Sequence, residues 1–213
     1  MRPRGFTLVE VLVSLTLLAL LAVIGWRGID GLLRSQSLLK ERGTSLDSLQ
    51  AALSQWTLDL EQAAETPYLN AMAWDGRQLR IVRRSLGEEA LMVVAWGVRT
   101  HQGTLQWRRW QSPPVRDRSA LLQAWNTAPA QLQEDAPASG SAVTLVPVSG
   151  WRVQWNQGAG WVDAPNGGSA GSEAALTEPP AGVRVQLELP DASPLPGPLQ
   201  LDWANPALNR GRS

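Results

Sequence analysis

The order of hydrophobic and polar positions begins with a long apolar run that contains one charged residue. Residues 6–26 are uncharged except for Glu10. As a helix rising about 1.5 Å per residue, this run spans roughly 30 Å, the thickness of the hydrocarbon core of a bilayer. A secretory signal peptide would have a shorter apolar region and a small-residue cleavage site after it, and residues 25–28 (Gly-Trp-Arg-Gly) do not offer one. We predict a transmembrane helix over residues 6–26.

A seven-residue leucine repeat continues the helical pattern beyond the apolar run. A second apolar row lies beside the leucines on the same helical face. The two rows are Leu32, Leu39, Leu46, Leu53 and Leu60, and Leu49, Trp56 and Ala63. We expect the helix to run to about Ala64, with Pro67 as its stop, and glycines at 25–31 to allow a bend or local melting. Packing of its C-terminal half on the same chain is favoured over a coiled-coil partner.

From Leu69 onward the hydrophobic period shortens to that of β-strands. The predicted strands cover residues 78–83, 91–98, 104–110, 143–148, 151–155, 161–162, 182–189 and 199–203. In the strand 182–189 apolar and polar residues alternate most regularly. Asp75-Gly76 and Gln102-Gly103 are candidate hairpin turns.

Only one short helix is expected among these strands, at Arg116–Thr127, followed by a loop over 128–141. Residues 166–180 are rich in Gly, Ser and Pro and are expected to be flexible, and 205–213 form a tail. Strands that follow one another without intervening helices favour an antiparallel sheet. The predicted fold class is therefore α+β, a long N-terminal helix packed on an antiparallel β head.

Composition excludes several classes of chemistry. Nineteen basic residues balance 19 acidic ones and are scattered, so nucleic acid is not an expected partner. Cysteine is absent, which excludes disulfides and thiolate chemistry, and His101 is the only histidine, which excludes a two-histidine zinc site. The chain has no phosphate-binding Gly-x-x-x-x-Gly-Lys loop. We predict no enzymatic activity, no metal and no cofactor.

The aromatic and paired acidic residues have ordinary interpretations. The chain holds 11 tryptophans, five of which could form a sugar-stacking platform, although core or interface positions are favoured. These five are Trp107, Trp110, Trp151, Trp155 and Trp161. The adjacent pairs Glu88-Glu89 and Glu134-Asp135 lie in loop-like sequence, so solvated charges are expected there rather than a converging catalytic pair.

Glu10 is the residue that most needs an explanation. A carboxylate at the centre of a membrane helix costs about 2.5–3.5 kcal/mol on insertion scales. We therefore expect Glu10 to have either a partner or a task. The alternative is that its side chain extends to the membrane interface near the start of the helix.

The N-terminal residues resemble the type IV prepilin signature shared by type IV pilins and type II secretion pseudopilins. A short basic leader ends at Gly5, and Phe6-Thr-Leu-Val-Glu10 precedes the apolar run. The resemblance implies cleavage by the prepilin peptidase between Gly5 and Phe6 on the cytoplasmic side, followed by N-methylation of Phe6. It also implies that Glu10 pairs with the N-terminal amine of a neighbouring subunit during filament assembly.

The C-terminal part resembles the J-type minor pseudopilins of type II secretion. There an aromatic strand precedes a Pro-x-x-Val-x-Val-x-Leu strand, as in residues 151–161 and 180–189, whereas residues 69–149 carry no signature. The implied function is that of a subunit of the pseudopilus tip, supporting protein export across the outer membrane. A minor pilin of a type IV pilus, acting in adhesion or DNA uptake, is the alternative. A membrane-anchored carbohydrate-binding or enzymatic domain is the third hypothesis.

The resemblance also implies an organisation, partners and a location. Residues 1–5 would be the leader, 6–26 the transmembrane half of the helix, 27–65 a periplasmic amphipathic helix and 66–213 a periplasmic β-rich head. The expected partners are I-type and K-type minor pseudopilins, the major pseudopilin, the prepilin peptidase and the bacterial inner membrane. The N-terminus would be cytoplasmic, and the protein would enter the pseudopilus after assembly.

Overall fold

The computed structural model describes residues 7–87, 89–165 and 178–206, without the side chains of residues 37, 38 and 41. The chain divides into two compact units, of which the first ends at Thr44 and the second begins at Ser45. Several predictions lie outside the described residues. These concern Gly5, Phe6, Glu88, most of the flexible segment 166–180 and most of the tail 205–213.

Helix α1 runs from Leu8 to Glu61 without interruption. The local melting expected at 25–31 is wrong, since each glycine weakens a helix by only about 1 kcal/mol and the helix is continuous through them. The helix ends three residues before the predicted Ala64. The residues after Glu61 pair with the head instead of continuing the helix, since the Ala64 N–H donates to the carbonyl of Val82 at 2.8 Å.

Five antiparallel strands form the first sheet, and they lie side by side in the order in which they occur in the sequence. They are β1 (Met72–Trp74), β2 (Gln78–Arg84), β3 (Leu91–His101), β4 (Thr104–Gln111) and β5 (Ser141–Pro147). Strand β1 was not predicted, whereas both hairpin turns were. Gly76 has φ 89°, and Gln102 and Gly103 have φ 49° and 77°, the positive values that tight hairpin turns require.

Helix α2 covers Arg118–Gln133, so the predicted helix at Arg116–Thr127 is shifted and too short, and the predicted loop from Ala128 is wrong at its start. Asp117 caps the helix by accepting from the N–H of Ala120 at 2.8 Å. The helix then continues through Pro129, which has no N–H to donate to the carbonyl of Trp125. The buried guanidinium of Arg80 donates to that carbonyl instead, at 3.3 Å.

The second sheet has four antiparallel strands in the order β7-β6-β8-β9. They are β6 (Gly150–Asn156), β7 (Trp161–Asp163), β8 (Gly182–Leu189) and β9 (Gly197–Ala204). The predicted strand 182–189 has the bounds observed for β8. Its alternation is confirmed, because Val183, Val185, Leu187 and Leu189 are buried while the residues between them are not.

Two hydrophobic clusters hold the second unit together. One face of the five-stranded sheet packs against α2 through Trp110, Leu121 and Trp125, among others. The other face joins the four-stranded sheet and the last turns of α1 in a larger cluster that includes Trp56 and Val185. The predicted fold class is confirmed: the protein is α+β, with a long N-terminal helix and an antiparallel β head.

Candidate functional site

The start of α1 is a capping box built by Thr7 and Glu10. The side-chain oxygen of Thr7 accepts from the N–H of Glu10 at 3.3 Å. In return, Glu10 Oε2 accepts from the N–H of Thr7 at 3.0 Å and from its hydroxyl at 2.9 Å. Two backbone donors that a helix start leaves without intrahelical partners are thereby satisfied. Glu10 thus has a local task, which the Thr-x-x-Glu spacing before an apolar run signals and which our sequence analysis missed.

Capping leaves Glu10 able to accept further hydrogen bonds. Both bonds from Thr7 reach the same carboxylate oxygen, Oε2, and an ionised carboxylate has about four acceptor positions. The side chain is exposed on the helix surface. An ammonium group from another molecule could therefore bind the carboxylate without breaking the cap.

The helix surface that follows Glu10 is apolar on all sides. Every side chain from Leu8 to Gln36 is exposed, and this stretch is long and apolar enough to cross a membrane. Its remaining charges lie near its far end, where Arg34 binds Asp30 at 2.7 Å one turn away. A helix that is apolar all round requires a membrane or a protein bundle as its surroundings.

A second carboxylate of α1, Asp59, is buried completely in the head. Its Oδ1 accepts from Gln55 Nε2 at 2.9 Å, from Arg109 Nη2 at 2.9 Å and from Arg83 Nη1. Its Oδ2 accepts from Arg109 Nε at 2.7 Å and from the indole N–H of Trp96 at 2.8 Å. The bidentate arginine and the indole fill the acceptor positions of the carboxylate with charge-assisted bonds. Sequence analysis did not single out any of these residues.

The five tryptophans of the possible platform do not form one exposed surface. Trp107 and Trp110 are fully buried and Trp155 is 6% exposed, which confirms the favoured core positions for these three. Trp107 lies within a cluster with Trp56 and Trp96, at centroid distances of 5.8 and 4.6 Å. The remaining two, Trp151 and Trp161, are partly exposed.

Asp135, expected to be a solvated charge, is exposed and is also paired. Asp135 accepts two hydrogen bonds from Arg99, one of them from Nη2 at 2.9 Å. These bonds from Arg99 lower the pKa of the Asp135 carboxyl. Glu89, Glu134 and His101 are exposed, and the residues that the structure describes include no group of three or more acidic or histidine side chains placed to hold a metal ion.

Residues 1–26 match the family model described as the prokaryotic N-terminal methylation motif. The chain thus carries the motif of type IV pilin-like proteins, which confirms the resemblance found at its N-terminus. The motif and the apolar helix together indicate a membrane-anchored protein with a single pass.

The chain was also compared with curated proteins and with solved structures. No curated protein matches the chain. Among solved structures, it is similar to a chain of the GspK-GspI-GspJ complex of the type 2 secretion system from enterotoxigenic Escherichia coli. The identity is 19%, the match covers 75% of this chain and 96% of that chain, and the TM-score is 0.49.

Proposed function

We propose that this protein is a minor pseudopilin of a type II secretion system, a structural subunit of the pseudopilus tip. The observation that carries the proposal is the methylation motif at residues 1–26, followed by a helix that is apolar on every side and has Glu10 near its start. The J-type assignment is supported by the pattern of residues 151–161 and 180–189. Its partners would be I-type and K-type minor pseudopilins and the major pseudopilin.

The proposed role begins with processing at the membrane. The prepilin peptidase would remove residues 1–5 on the cytoplasmic side of the inner membrane, and the new amine of Phe6 would be methylated. Residues 6–26 would cross the membrane, and residues 27–65 and the head, 66–213, would lie in the periplasm. This processing leaves Thr7 and Glu10, and therefore the capping box, in the mature chain.

Assembly would then depend on Glu10. Burying a carboxylate or an ammonium alone in hydrocarbon is costly, but a hydrogen-bonded pair of the two offsets both desolvation penalties. Glu10 of one subunit would accept from the N-terminal amine of a neighbour while Thr7 keeps the carboxylate in place. The capping box fits this role because it orients the carboxylate before any partner arrives.

Mass spectrometry of the mature N-terminus tests the processing step. The expected chain begins at Phe6 and carries one extra methyl group on its amine. An intact Met1, or cleavage at any bond other than the one after Gly5, would contradict both the pseudopilin and the pilin hypotheses.

The assembly step is tested by Glu10→Ala, with Asp30→Ala as the matched control. Both changes remove an acidic residue from α1, but Asp30 is already paired with Arg34 within the same helix. We expect both variants to reach the membrane, and only Glu10→Ala to lose co-purification with the other minor pseudopilins, by about tenfold or more. Normal secretion and normal co-purification of Glu10→Ala would refute the proposed role of the carboxylate.

The same motif also supports the second candidate, a minor pilin of a type IV pilus. Co-purification separates the two, because a pilus subunit would be recovered with pilins rather than with minor pseudopilins. The neighbouring genes would distinguish them as well. The carbohydrate-binding hypothesis loses its main support, since Trp107, Trp110 and Trp155 are buried in the head.

A further inference from the structure

The apolar contacts of α1 in the head do not by themselves specify one position along the helix axis. Leu49, Ala52, Trp56 and Leu60 form its buried face. Leu46, Leu49 and Leu53 each lie three residues before a residue of this face, so a shift of about one turn still presents apolar side chains to the head. Hydrophobic contact is non-directional and depends on the area covered. A helix held only by such a face could slide by a turn and still bury apolar surface.

Asp59 distinguishes the native position of α1 along its axis from positions shifted by a turn. It is fully buried and binds side chains of three adjacent strands, Arg83 of β2, Trp96 of β3 and Arg109 of β4. Arg109 is itself held by Gln111, whose Oε1 accepts from Nη1 at 2.7 Å. The carboxylate therefore meets a fixed set of donors on the sheet.

No other residue of the helix could replace Asp59 after a slide. A shift by one turn, about 5.4 Å, would bring Gln55 or Trp56 to this place in one direction. In the other direction it would bring Gln62 or Ala63, which follow the helix and would have to leave their pairing with β2, where the Arg84 N–H donates to the carbonyl of Gln62 at 3.0 Å. None of these is acidic. Two buried guanidinium groups would lose the carboxylate of Asp59, and that carboxylate would lose its donors on the sheet, which makes each shifted position unfavourable.

We propose that Asp59 is a positioning residue that fixes the axial register of α1 on the head. Buried polar residues are best known for selecting one register among several apolar alternatives, and the Asp59 network has the required features. A head that slid along its helix would present different surfaces, so a single register is a precondition for specific docking of any partner. The inference concerns the second unit alone and does not depend on the secretion system proposed above.

The absence of cysteine makes the register measurable with paired spin labels. Cysteines introduced in the full chain at Gln50 of α1, and in turn at Thr144 or Glu188 of the two sheets, would carry the labels in detergent. All three positions are exposed. We expect a single distance for each pair in the otherwise unchanged protein, measured by pulsed electron paramagnetic resonance.

The decisive variant replaces the ionic network by apolar residues, Asp59→Leu with Arg83→Met and Arg109→Met. Buried ion networks commonly tolerate such replacement without loss of stability. We expect the variant to remain folded by circular dichroism but to show a second distance, displaced by up to about 5.4 Å, in at least one label pair. The matched control, Arg99→Met with Asp135→Leu, removes a peripheral ion pair and should keep one distance.

Two results would overturn the proposal. One is a single, unchanged distance in the apolar variant, and the other is a second distance that the control shows as well. If the apolar variant does not fold, Asp59→Asn provides the test, because it keeps the side-chain shape and should show the second distance in a smaller fraction. Failure of both variants to fold would assign Asp59 to stability rather than register and would equally overturn it.

Discussion

Arg80 supplies the hydrogen bond that Pro129 cannot donate within α2, and the contribution of this bond to stability can be measured. Its Nη1 lies 3.3 Å from the carbonyl oxygen of Trp125, the acceptor that an N–H at position 129 would normally reach. The guanidinium also lies 4.7 Å from the centroid of the Trp125 ring. Arg80 is only 3% exposed, and this burial lowers its pKa. Burial of the Arg80 charge therefore carries a desolvation cost, which these two contacts offset.

We predict that Arg80→Met destabilises the protein by about 2–3 kcal/mol. A hydrogen bond to a charged group contributes about 1.5–3 kcal/mol, and a desolvated cation–π contact about 2 kcal/mol. Relief of the buried charge offsets part of this loss. A portion of the remaining cost, about 1–3 kcal/mol, is the buried Trp125 carbonyl left without a donor.

The double variant, Arg80→Met with Pro129→Ala, isolates the cost of leaving the Trp125 carbonyl without a donor. In a Pro129→Ala background the new N–H can donate to the Trp125 carbonyl, so Arg80→Met should cost about 1–2 kcal/mol less than it does alone. Thermal unfolding followed by tryptophan fluorescence measures both effects, at roughly 2–4 °C per kcal/mol for a chain of this size. The control is Arg84→Met, an exposed arginine of the same strand, which should change stability by less than about 0.5 kcal/mol. Additive effects of Arg80→Met and Pro129→Ala, within about 0.5 kcal/mol, would refute the compensation.

Two further predictions concern the backbone and the charges of the head. Gly140→Ala should lower the melting temperature markedly, because φ is +80° and a Cβ there would lie 2.1 Å from the carbonyl oxygen of Gln111. Gly158→Ala is strained by its φ of +93° but meets no atom within 4 Å, so it should lower the melting temperature by less, and equal losses would contradict the steric argument. Hydrogen bonds from Arg184 lower the pKa of Asp202 from 3.8, so this pair stabilises the protein above about pH 3.8 and the contribution is lost as the pH falls through the lowered pKa. The melting temperatures of the parent protein and of Asp202→Asn should therefore differ at pH 6 and converge toward pH 2, and a constant difference would disprove the linkage.

What the sequence predicts well in this protein is what neighbouring residues determine. The alternation in β8 predicts both its bounds and its buried face, and the Gly positions of the hairpins predict their turns. Helix α2 differs because its continuation through Pro129 depends on Arg80, which donates from a strand 45 residues earlier in the chain to Trp125. The predicted end of this helix at Thr127 is wrong because the donor that compensates for Pro129 is distant in sequence.

Glu10 and Asp59, both in α1, show the same contrast between local and distant partners. Glu10 is satisfied by Thr7, three residues away, in a spacing that the sequence displays. The donors that Asp59 receives from the sheet come from 24 to 50 residues away. Its one sequence signal is its place three residues after Trp56 on the apolar face, where a lone charge between Trp56 and Leu60 indicates a buried partner. The identity of that partner could not be predicted without the sheet.

The contrast between the two halves of α1 also bears on how the proposed filament would select its subunits. From Ser45 onward the buried face of the helix is covered by the protein's own head, so a change of surroundings need not disturb that core. From Leu8 to Gln36 the helix is exposed and apolar, and lipid covers such a surface about as well as other helices do. Moving it from a bilayer into a bundle therefore gains little from hydrophobicity. Under the proposed function, packing and polar contacts between helices decide, and Glu10 is the charged group of residues 6–26 that can supply such a polar contact.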